Sequence, residues 1–500
     1  MKRTSQKGVA LILALILVFV LSVMAISLMF ISQTETWSSM NYRLMSQARD
    51  GAEAGLNSAA GFLVNTYTQP GGTSDPVSAY NINASPVQYP ATATSSHDVI
   101  LSADSSTQSN YPVSSVDQAF NSSQVGYGTI SSGSTNVNYN SYATLTAMHS
   151  AFVPFGKTTP TTVQTWRLTS EGSITGIRGA KVQVSATLEQ PVVPTFKYAA
   201  FATDQSCSAL QFGGGGTTDS YDSSAALSGG RPVTANNTGN VGTNGNLATN
   251  GNPTTINGTL STPRTGVGTC SSGNITAWTS SSGTVTGGLV QLPQTVVYPT
   301  PNIPADGTLD ITTNSGCPSS AAMTLAGGAC TPGSGNIALA PTTPGGTMTL
   351  HNLSLTGNKD LHLAAGTYNI NTLSETGSTQ LVLDSTPVIL NVTGTGGGTV
   401  VQLTGGGLTN TSGNYNPQSF QILYAGTGTI SLKGGAASVG LLYAPNASFS
   451  FAGNADWYGA VIGKDMTDMG GTAVHYDRQL QKSALMVGPW MLDSFSWKKY

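Results

Sequence analysis

The side chains that could do acid–base chemistry are most concentrated near the C-terminus, at Asp465, Asp468, His475 and Asp477. Two carboxyl groups facing each other across a cleft could cleave a glycosidic bond, one as acid and the other as base or nucleophile. Aspartate is also a common turn and capping residue, and these residues fall among predicted turns. We therefore predict structural roles for them. The chain is expected not to be an enzyme, and we assign no catalytic residue.

Other polar groups do not complete a site either. Glu171 and Glu189 lie on predicted strands, and nothing in the sequence holds them in one cleft. Asp219 and Asp222 are too few to supply the six to eight oxygens that Ca²⁺ takes. The GGGG run at 213–216 has no following G-K-[ST], so it does not match a phosphate-binding loop. We predict no metal and no cofactor.

The composition argues against a nucleic-acid-binding protein. Only 8% of the 500 residues are charged, and the formal net charge is −3. A nucleic-acid-binding protein needs a basic patch, and the sequence contains none, so no nucleic-acid partner is indicated. Gly, Ser, Thr and Asn are abundant, a composition that lies between that of a β-rich repeat protein and that of a disordered, exported one.

The four cysteines could form disulfides if the chain is exported. In an exported chain, Cys207, Cys270, Cys317 and Cys330 could form two disulfides, with three pairings open. Cys317 and Cys330 are the closest in sequence. Free buried thiols are the alternative.

The N-terminus carries a long apolar segment. Lys2, Arg3 and Lys7 precede an apolar run from 9 to 31, long enough as a helix to span about 35 Å. The run is longer than a signal-peptide core. The basic residues predict a single-pass membrane anchor with a cytoplasmic N-terminus.

The same helix is expected to continue to about residue 64. Apolar residues recur at spacings of three and four as a stripe, which is typical of one helix face: Trp37, Met40, Leu44, Ala48, Ala52, Leu56, Ala59 and Leu63. Arg49 and Glu53 are spaced for an ion pair. The stripe could pack on the chain's own globular domain or against similar helices of other subunits.

Gly8 followed by Val9 and a long apolar helix resembles the type IV pilin-like signal. The triplet Asn41, Tyr42, Arg43 and the stretch AEAGL at 52–56, with Glu53, Gly55 and Leu56, resemble the N-terminal region of PilX-type minor pilins. The resemblance implies cleavage by prepilin peptidase between Gly8 and Val9, removing a leader of residues 1–8. It also implies that other pilins and inner-membrane lipid are partners of the helix. The bulk of the chain would then be periplasmic or on an extracellular pilus.

One position departs from the pilin pattern. Major pilins carry Glu at the fifth mature position, where this chain has Leu13. A carboxylate in lipid is costly unless it is paired. A subunit that starts a filament has no earlier subunit to pair with, so the departure favours a tip or priming position. An ordinary anchor in which Leu13 faces lipid is the alternative.

The rest of the chain is predicted to be mainly β. We expect a low-complexity loop region over 65–160 and a hairpin over 161–200, where 182, 184, 186 and 188 alternate as apolar positions. A Gly/Ser/Thr/Asn-rich β region should follow over 201–350, with TNGN repeats at 243–246 and 249–252 as tight corners.

Apolar strand cores recur about every 20 residues from 351 to 480, which predicts a right-handed β-helix-like solenoid. Residues 481–500 should cap that solenoid. The predicted fold is therefore a long transmembrane, pilin-like helix, then a β-sheet segment, then a solenoid.

These patterns favour a minor pilin-like component of a type IV pilus or related filament, with a contribution to adhesion. A membrane-anchored β-solenoid adhesin independent of pili is the alternative, and an anchored carbohydrate-active β-helix enzyme is a weaker one. The sequence does not distinguish a pilus from a secretion pseudopilus or a DNA-uptake filament.

Overall fold

The computed structural model describes residues 7–71, 74–92, 95–132, 135–152, 154–157, 161–176, 179–251, 254–280, 282–395, 397–403, 407–433, 438–453, 456–467 and 471–499. The chain divides into two compact units. The first unit is Met1–Phe152, Pro160–Val192 and Val487–Tyr500, and the second is Val153–Thr159 and Val193–Met486. Each unit is described by itself below.

The described helices are few, and one of them is long. They are α1 (Lys7–Asn65), α2 (Ser114–Phe120), α3 (Ser320–Leu325) and α4 (Leu480–Ser483), with 3-10 turns at Val77–Ala79, Thr313–Ser315 and Pro417–Ser419.

Strands account for most of the remaining regular structure. The strands up to residue 194 are β1 (Gln88–Tyr89), β2 (His97–Asp98), β3 (Ile100–Ser102), β4 (Tyr127–Ser132), β5 (Thr135–Phe152), β6 (Thr161–Ile174), β7 (Ala180–Glu189) and β8 (Val192–Pro194).

The strands between 200 and 291 are short: β9 (Ala200–Ala202), β10 (Leu210–Phe212), β11 (Thr217–Tyr221), β12 (Val241–Thr243), β13 (Leu247–Thr249), β14 (Thr254–Ile256), β15 (Leu260–Thr262), β16 (Trp278–Ser280), β17 (Gly283–Val285) and β18 (Leu289–Gln291).

The strands from 311 to 410 are β19 (Ile311–Thr312), β20 (Gly328–Gly333), β21 (Asn336–Pro341), β22 (Thr347–Thr349), β23 (Asn352–Leu355), β24 (Asp360–Leu363), β25 (Gly366–Ile370), β26 (Thr372–Glu375), β27 (Leu381–Leu383), β28 (Val388–Val392), β29 (Thr399–Leu403) and β30 (Leu408–Asn410). The last strands are β31 (Phe420–Tyr424), β32 (Thr429–Lys433), β33 (Ser438–Ala452), β34 (Asp456–Thr467), β35 (Ala473–Asp477), β36 (Leu485–Val487) and β37 (Met491–Lys499).

The first unit is an antiparallel sheet packed on the second half of α1. The strand order is β3-β5-β6-β7-β37, with β4 also paired to β5. β6 and β7 form the predicted hairpin, in which Trp166 pairs with Leu188 and Leu168 pairs with Ala186. The alternating residues of β7 are buried as predicted, because one face of the strand lies against the core.

Two expectations for this unit are wrong. Residues 65–160 are not a loop region, because they contain β1–β5 and α2. In β5, buried Val137, Tyr139 and Ala143 alternate with exposed Asn138 and Asn140, and this abundance of polar residues hid the strand. The tail does not cap a solenoid either: β37 pairs antiparallel with β7 as the edge strand of this sheet.

The second unit is built from parallel strands stacked in successive layers. Thr347 pairs with Thr367 and Asn352 pairs with Thr372, so the spacing of 20 residues is present where neighbouring layers have short connections. Elsewhere the connections are longer, as between β28 and β31, where Val388 pairs with Phe420. Inward residues such as Leu353, Tyr368 and Leu390 form one continuous core.

The chain does not build this stack from one end to the other. β9, β10 and β11 pair on one side with β12, β13 and β14, which follow them directly. On the other side β9 and β10 pair with β34, and β11 pairs with β35, the last strand of the stack. The first strands of the unit therefore lie inside the stack, and the last strands close against them.

The first of the two TNGN repeats lies at a corner of this stack, as expected. The first, at 243–246, joins β12 to β13, and its Asn246 is buried with its Nδ2 donating to the carbonyl oxygen of Thr276 at 2.9 Å. The second begins at the end of β13, and its final Asn252 lies outside the described residues.

The structure pairs Cys207 with Cys270 and Cys317 with Cys330, with Cα–Cα distances of 5.7 and 5.6 Å. The two pairs are separated by 63 and 13 residues in sequence. Because a cross-link restricts the unfolded chain more when it closes a longer loop, removal of the first should cost more.

We expect the double change Cys207→Ala, Cys270→Ala to lower the free energy of unfolding by about 4 kcal/mol, and Cys317→Ala, Cys330→Ala by about 3 kcal/mol. Denaturant unfolding of both variants and of the parent chain, with and without reductant, measures this. The reduced parent chain should be no more stable than either variant. The reverse order of the two losses would contradict the loop-length argument.

Candidate assembly surface

The first half of α1 presents apolar side chains that nothing within the described chain covers. Leu13 is 62% exposed, and the other large apolar residues from Val9 to Ile31 are similarly exposed. The helix is long and apolar enough to cross a membrane. The hydroxyls of Ser22 and Thr34 donate to the carbonyl oxygens four residues earlier, at 2.7 and 2.8 Å. Such internal bonds are required in lipid, where water cannot satisfy polar groups.

The second half of the same helix packs on the sheet of its own unit. Its buried residues follow the predicted stripe from its fourth position onward: Ala48, Ala52, Leu56, Ala59 and Leu63. By contrast, Trp37 and Met40 at the start of the stripe are 59% and 41% exposed. The stripe thus has two parts, one buried in the first unit and one exposed beyond it.

Glycines let the helix backbone approach the strands closely. A Cβ added to Gly55 would lie 2.4 Å from Oγ of Ser170 and 2.5 Å from the ring of Tyr139. A Cβ added to Gly172 on β6 would lie 2.0 Å from the carbonyl oxygen of Ala48. A side chain at position 172 would push the helix off the sheet, whereas one at position 55 would displace the side chains of Ser170 and Tyr139. The Gly55 of the AEAGL stretch therefore has a packing role, and Leu56 beside it is buried.

The acid in that stretch has a local partner. Glu53 Oε1 lies 2.7 Å from Nε of Arg49, the ion pair that the four-residue spacing predicted. The two side chains are 40% and 52% exposed, so the pair contributes no more than about 1 kcal/mol.

The N-Y-R triplet takes no part in the core of the first unit. Asn41, Tyr42 and Arg43 are exposed, Tyr42 by 79%. Asn41 and Tyr42 line a groove of about 570 Å³ between the helix and the edge strand β37. Across it, the guanidinium of Arg49 lies 6.0 Å from the ring centre of Trp497. The groove joins the exposed helix face to an exposed sheet edge.

Among the acidic residues near the C-terminus, Asp465 and Asp477 have separate hydrogen-bond partners. Asp465 accepts a hydrogen bond from Ser448 at 2.8 Å, and Asp468 lies outside the described residues. Asp477 accepts the backbone N–H groups of Ser223 and Gln479, a turn and capping role, and burial raises its pKa.

His475 instead meets acids that are distant in sequence. Its Nδ1 lies 2.5 Å from Oδ1 of Asp219, and its Nε2 lies 3.7 Å from Asp456. The Tyr458 ring stacks on the imidazole at 4.3 Å between centres, and burial raises the pKa of Tyr458 to about 12. Arg231 contacts Asp456 at 3.3 Å. Carboxylates occupy both sides of the imidazole, an arrangement that holds strands together.

No local signal could have found this cluster, because Asp219 and His475 pair between β11 and β35. Asp222, also considered for Ca²⁺, accepts hydrogen bonds from Ser224, which lower its pKa to about 2. Within the described ranges, no group of three or more His, Cys, Asp and Glu is placed to hold a metal ion.

A long helix, exposed and apolar at its start and packed on an antiparallel sheet in its second half, is a pilin-like arrangement. Residues 7–57 match the family model described as PilX N-terminal. The resemblance of this segment to PilX-type minor pilins is therefore confirmed. Residues 344–483, which include β22–β35, match a domain of unknown function (DUF7305).

No curated protein matches the chain. Among solved structures it is similar to the competence-associated pilin ComZ from Thermus thermophilus, at 13% identity. That match covers 75% of this chain and 88% of the other, with a TM-score of 0.24, too low to carry a structural argument.

Proposed function

We propose that this chain is a minor pilin-like structural component of a type IV pilus or related filament. The observation that carries the proposal is α1, whose first half is apolar and exposed over the segment that matches the PilX N-terminal model. Such a surface needs a membrane before assembly and other helices after it. Other pilins would be the partners, and prepilin peptidase would cut between Gly8 and Val9.

The proposed position is at the filament tip or as an assembly primer. Leu13 supports it, because a helix without a buried carboxylate does not require a preceding subunit to pair with it. The size of the second unit also supports it, since so large a domain is difficult to repeat along a thin shaft. In this proposal the second unit is a β-solenoid that contributes to adhesion.

The first test is the mass of the N-terminal peptide, from membranes and from sheared surface filaments. We expect a peptide beginning at methylated Val9 in both fractions, rarer in filaments than the major pilin. A start at Val9 in membranes alone would favour a priming or pseudopilus role. An uncut Met1 would reject the pilin proposal and favour an anchored adhesin independent of pili.

A second test uses the exposed triplet. Because Tyr42 has no packing role within the first unit, Tyr42→Ala should leave folding and membrane insertion unchanged and lower recovery in filaments severalfold. Asn57→Ala is the matched control, since Asn57 is exposed on the same helix outside the groove. Equal recovery of the two variants would contradict an assembly role for the triplet.

A further inference from the structure

A groove of about 480 Å³ crosses the outer face of the second unit. Its floor is the parallel sheet of β22, β25, β28 and β31, and its rim is the short segment 154–157 together with 302–304. This volume lies within the range of about 300–1,000 Å³ typical of small-ligand sites.

The floor carries hydroxyl and amide groups in rows. Thr347, Thr367, Ile389 and Gln421 occupy one register position on the four strands. Neighbouring strands lie about 4.8 Å apart, so each row repeats with that period. A surface of this kind offers hydrogen-bond donors and acceptors at regular intervals.

A second row lies two residues further along each strand. In it, hydrogen bonds between neighbouring side chains fix the orientation of the amide groups. Nδ2 of Asn391 donates to Oδ1 of Asn369 at 3.2 Å, and Nδ2 of Asn369 donates to Oγ1 of Thr349 at 3.3 Å. An amide side chain has two donor hydrogens and two acceptor positions, so one bond to each neighbour leaves capacity for a ligand. Leu423 continues this row on the fourth strand and adds an apolar surface.

The rim is held in place by contacts within the same unit. Phe155 packs edge-on against Phe196 and Tyr443, with ring centres 5.1 and 5.5 Å apart. Nζ of Lys157 donates to the carbonyl oxygen of Thr300 at 2.6 Å. Because the rim is anchored at both places, the groove is preformed, which lowers the cost of ordering a ligand.

We infer that this groove binds a short oligosaccharide. Its lining offers amides, hydroxyls and apolar patches at Ile389 and Leu423, and Lys157 is the one basic side chain among the described residues that line it. A sugar ring presents hydroxyls at its edge and C–H groups on its face, which such a lining complements. A phosphate-rich ligand would require more cations.

A peptide fits this surface less well than a sugar does. Extended peptides bind by adding a strand to an unpaired sheet edge. In the floor, β25 is paired on both sides, with β22 and β28, and β28 is paired with β25 and β31. The backbone groups of β25 and β28 are thus already engaged within the sheet.

The experiment measures binding of three uncharged probes, chitotetraose, cellotetraose and maltotetraose, to the purified full chain in detergent by calorimetry. We expect at least one probe to bind, and Asn391→Ala and Gln421→Ala each to weaken it about tenfold, the effect of one lost hydrogen bond. Gln402→Ala is the matched control, since Gln402 lies on β29 outside the groove. Thr367→Trp, which fills the groove without removing a core side chain, should abolish binding.

Failure of all three probes to bind at millimolar concentration would overturn the inference. So would equal weakening by Gln402→Ala, or a preference for extended peptides over sugars. The inference goes beyond the proposed function and does not depend on it, because the groove lies within the second unit. A chain that fails to enter filaments should still bind the sugar.

Discussion

Gly172→Ala is expected to lower the free energy of unfolding of the first unit by about 3 kcal/mol, the upper end of the range for overpacking. The added Cβ would lie 2.0 Å from the carbonyl oxygen of Ala48 and 2.6 Å from the backbone N of Ala52. Backbone atoms of a helix cannot move aside as a flexible side chain can. The helix must therefore separate from β6, and the buried stripe loses its contacts.

Two other glycines give graded comparisons. Gly55→Ala should cost less than Gly172→Ala, because the nearest atoms belong to the side chains of Ser170 and Tyr139. Gly61→Ala is the matched control within α1: its Cβ would meet nothing within 4 Å, so the change should stabilise the helix by up to about 1 kcal/mol.

Hydrogen exchange of the β5–β7 amides measures these effects, because it reports on the first unit separately from the second. The expected order of protection is Gly61→Ala highest, then the parent chain, then Gly55→Ala and Gly172→Ala. Unchanged protection in Gly172→Ala would mean that the close helix–sheet approach is not present in solution.

Asp219→Ala is expected to lower the free energy of unfolding of the second unit by about 3 kcal/mol, the lower end of the range for breaking a buried pair. Asp219 and His475 are buried, with side chains only 12% and 10% exposed, and they join β11 to β35 where the stack closes. Removing Asp219 leaves His475 with only the more distant Asp456, 3.7 Å away, to compensate for its lost hydration. The last strands should then open from the first.

The His351–Asp306 pair is a matched control of the same chemistry. Its atoms lie 3.0 Å apart, but its side chains are 33% and 32% exposed, so Asp306→Ala should destabilise the unit much less than Asp219→Ala does. The stabilising effect of the His351–Asp306 pair should also depend on pH. The carboxylate of Asp306 raises the pKa of His351, so that small effect is present at low pH and lost as the pH rises through the raised pKa.

Protection of the β35 amides from hydrogen exchange distinguishes the two pairs. Asp219→Ala should reduce it strongly, whereas Asp306→Ala should leave it unchanged. The double change Asp219→Ala, His475→Ala should cost less than the sum of the single changes, since each removes the same contact. Strict additivity would show that the pair does not hold the closure together.

Local patterns predicted several elements correctly from the sequence. The long helix, the β6–β7 hairpin and the spacing near 20 residues each follow from a repeat within a short window. The strand β5 was missed because its outward face is rich in Asn and its inward face is filled partly by Tyr, Ser and Ala. An alternation of that kind has little contrast in hydrophobicity.

The sequence by itself determined that α1 begins with a continuous apolar segment long enough to cross a membrane, because length and composition are local properties of the chain. The tertiary structure alone decided that β37 returns to the sheet of the first unit, that β34 and β35 close against β9–β11, and that Asp219 meets His475. These contacts join segments hundreds of residues apart, and the partners share no local motif. Their pairing depends on which strand edges remain open once the rest of the chain has folded.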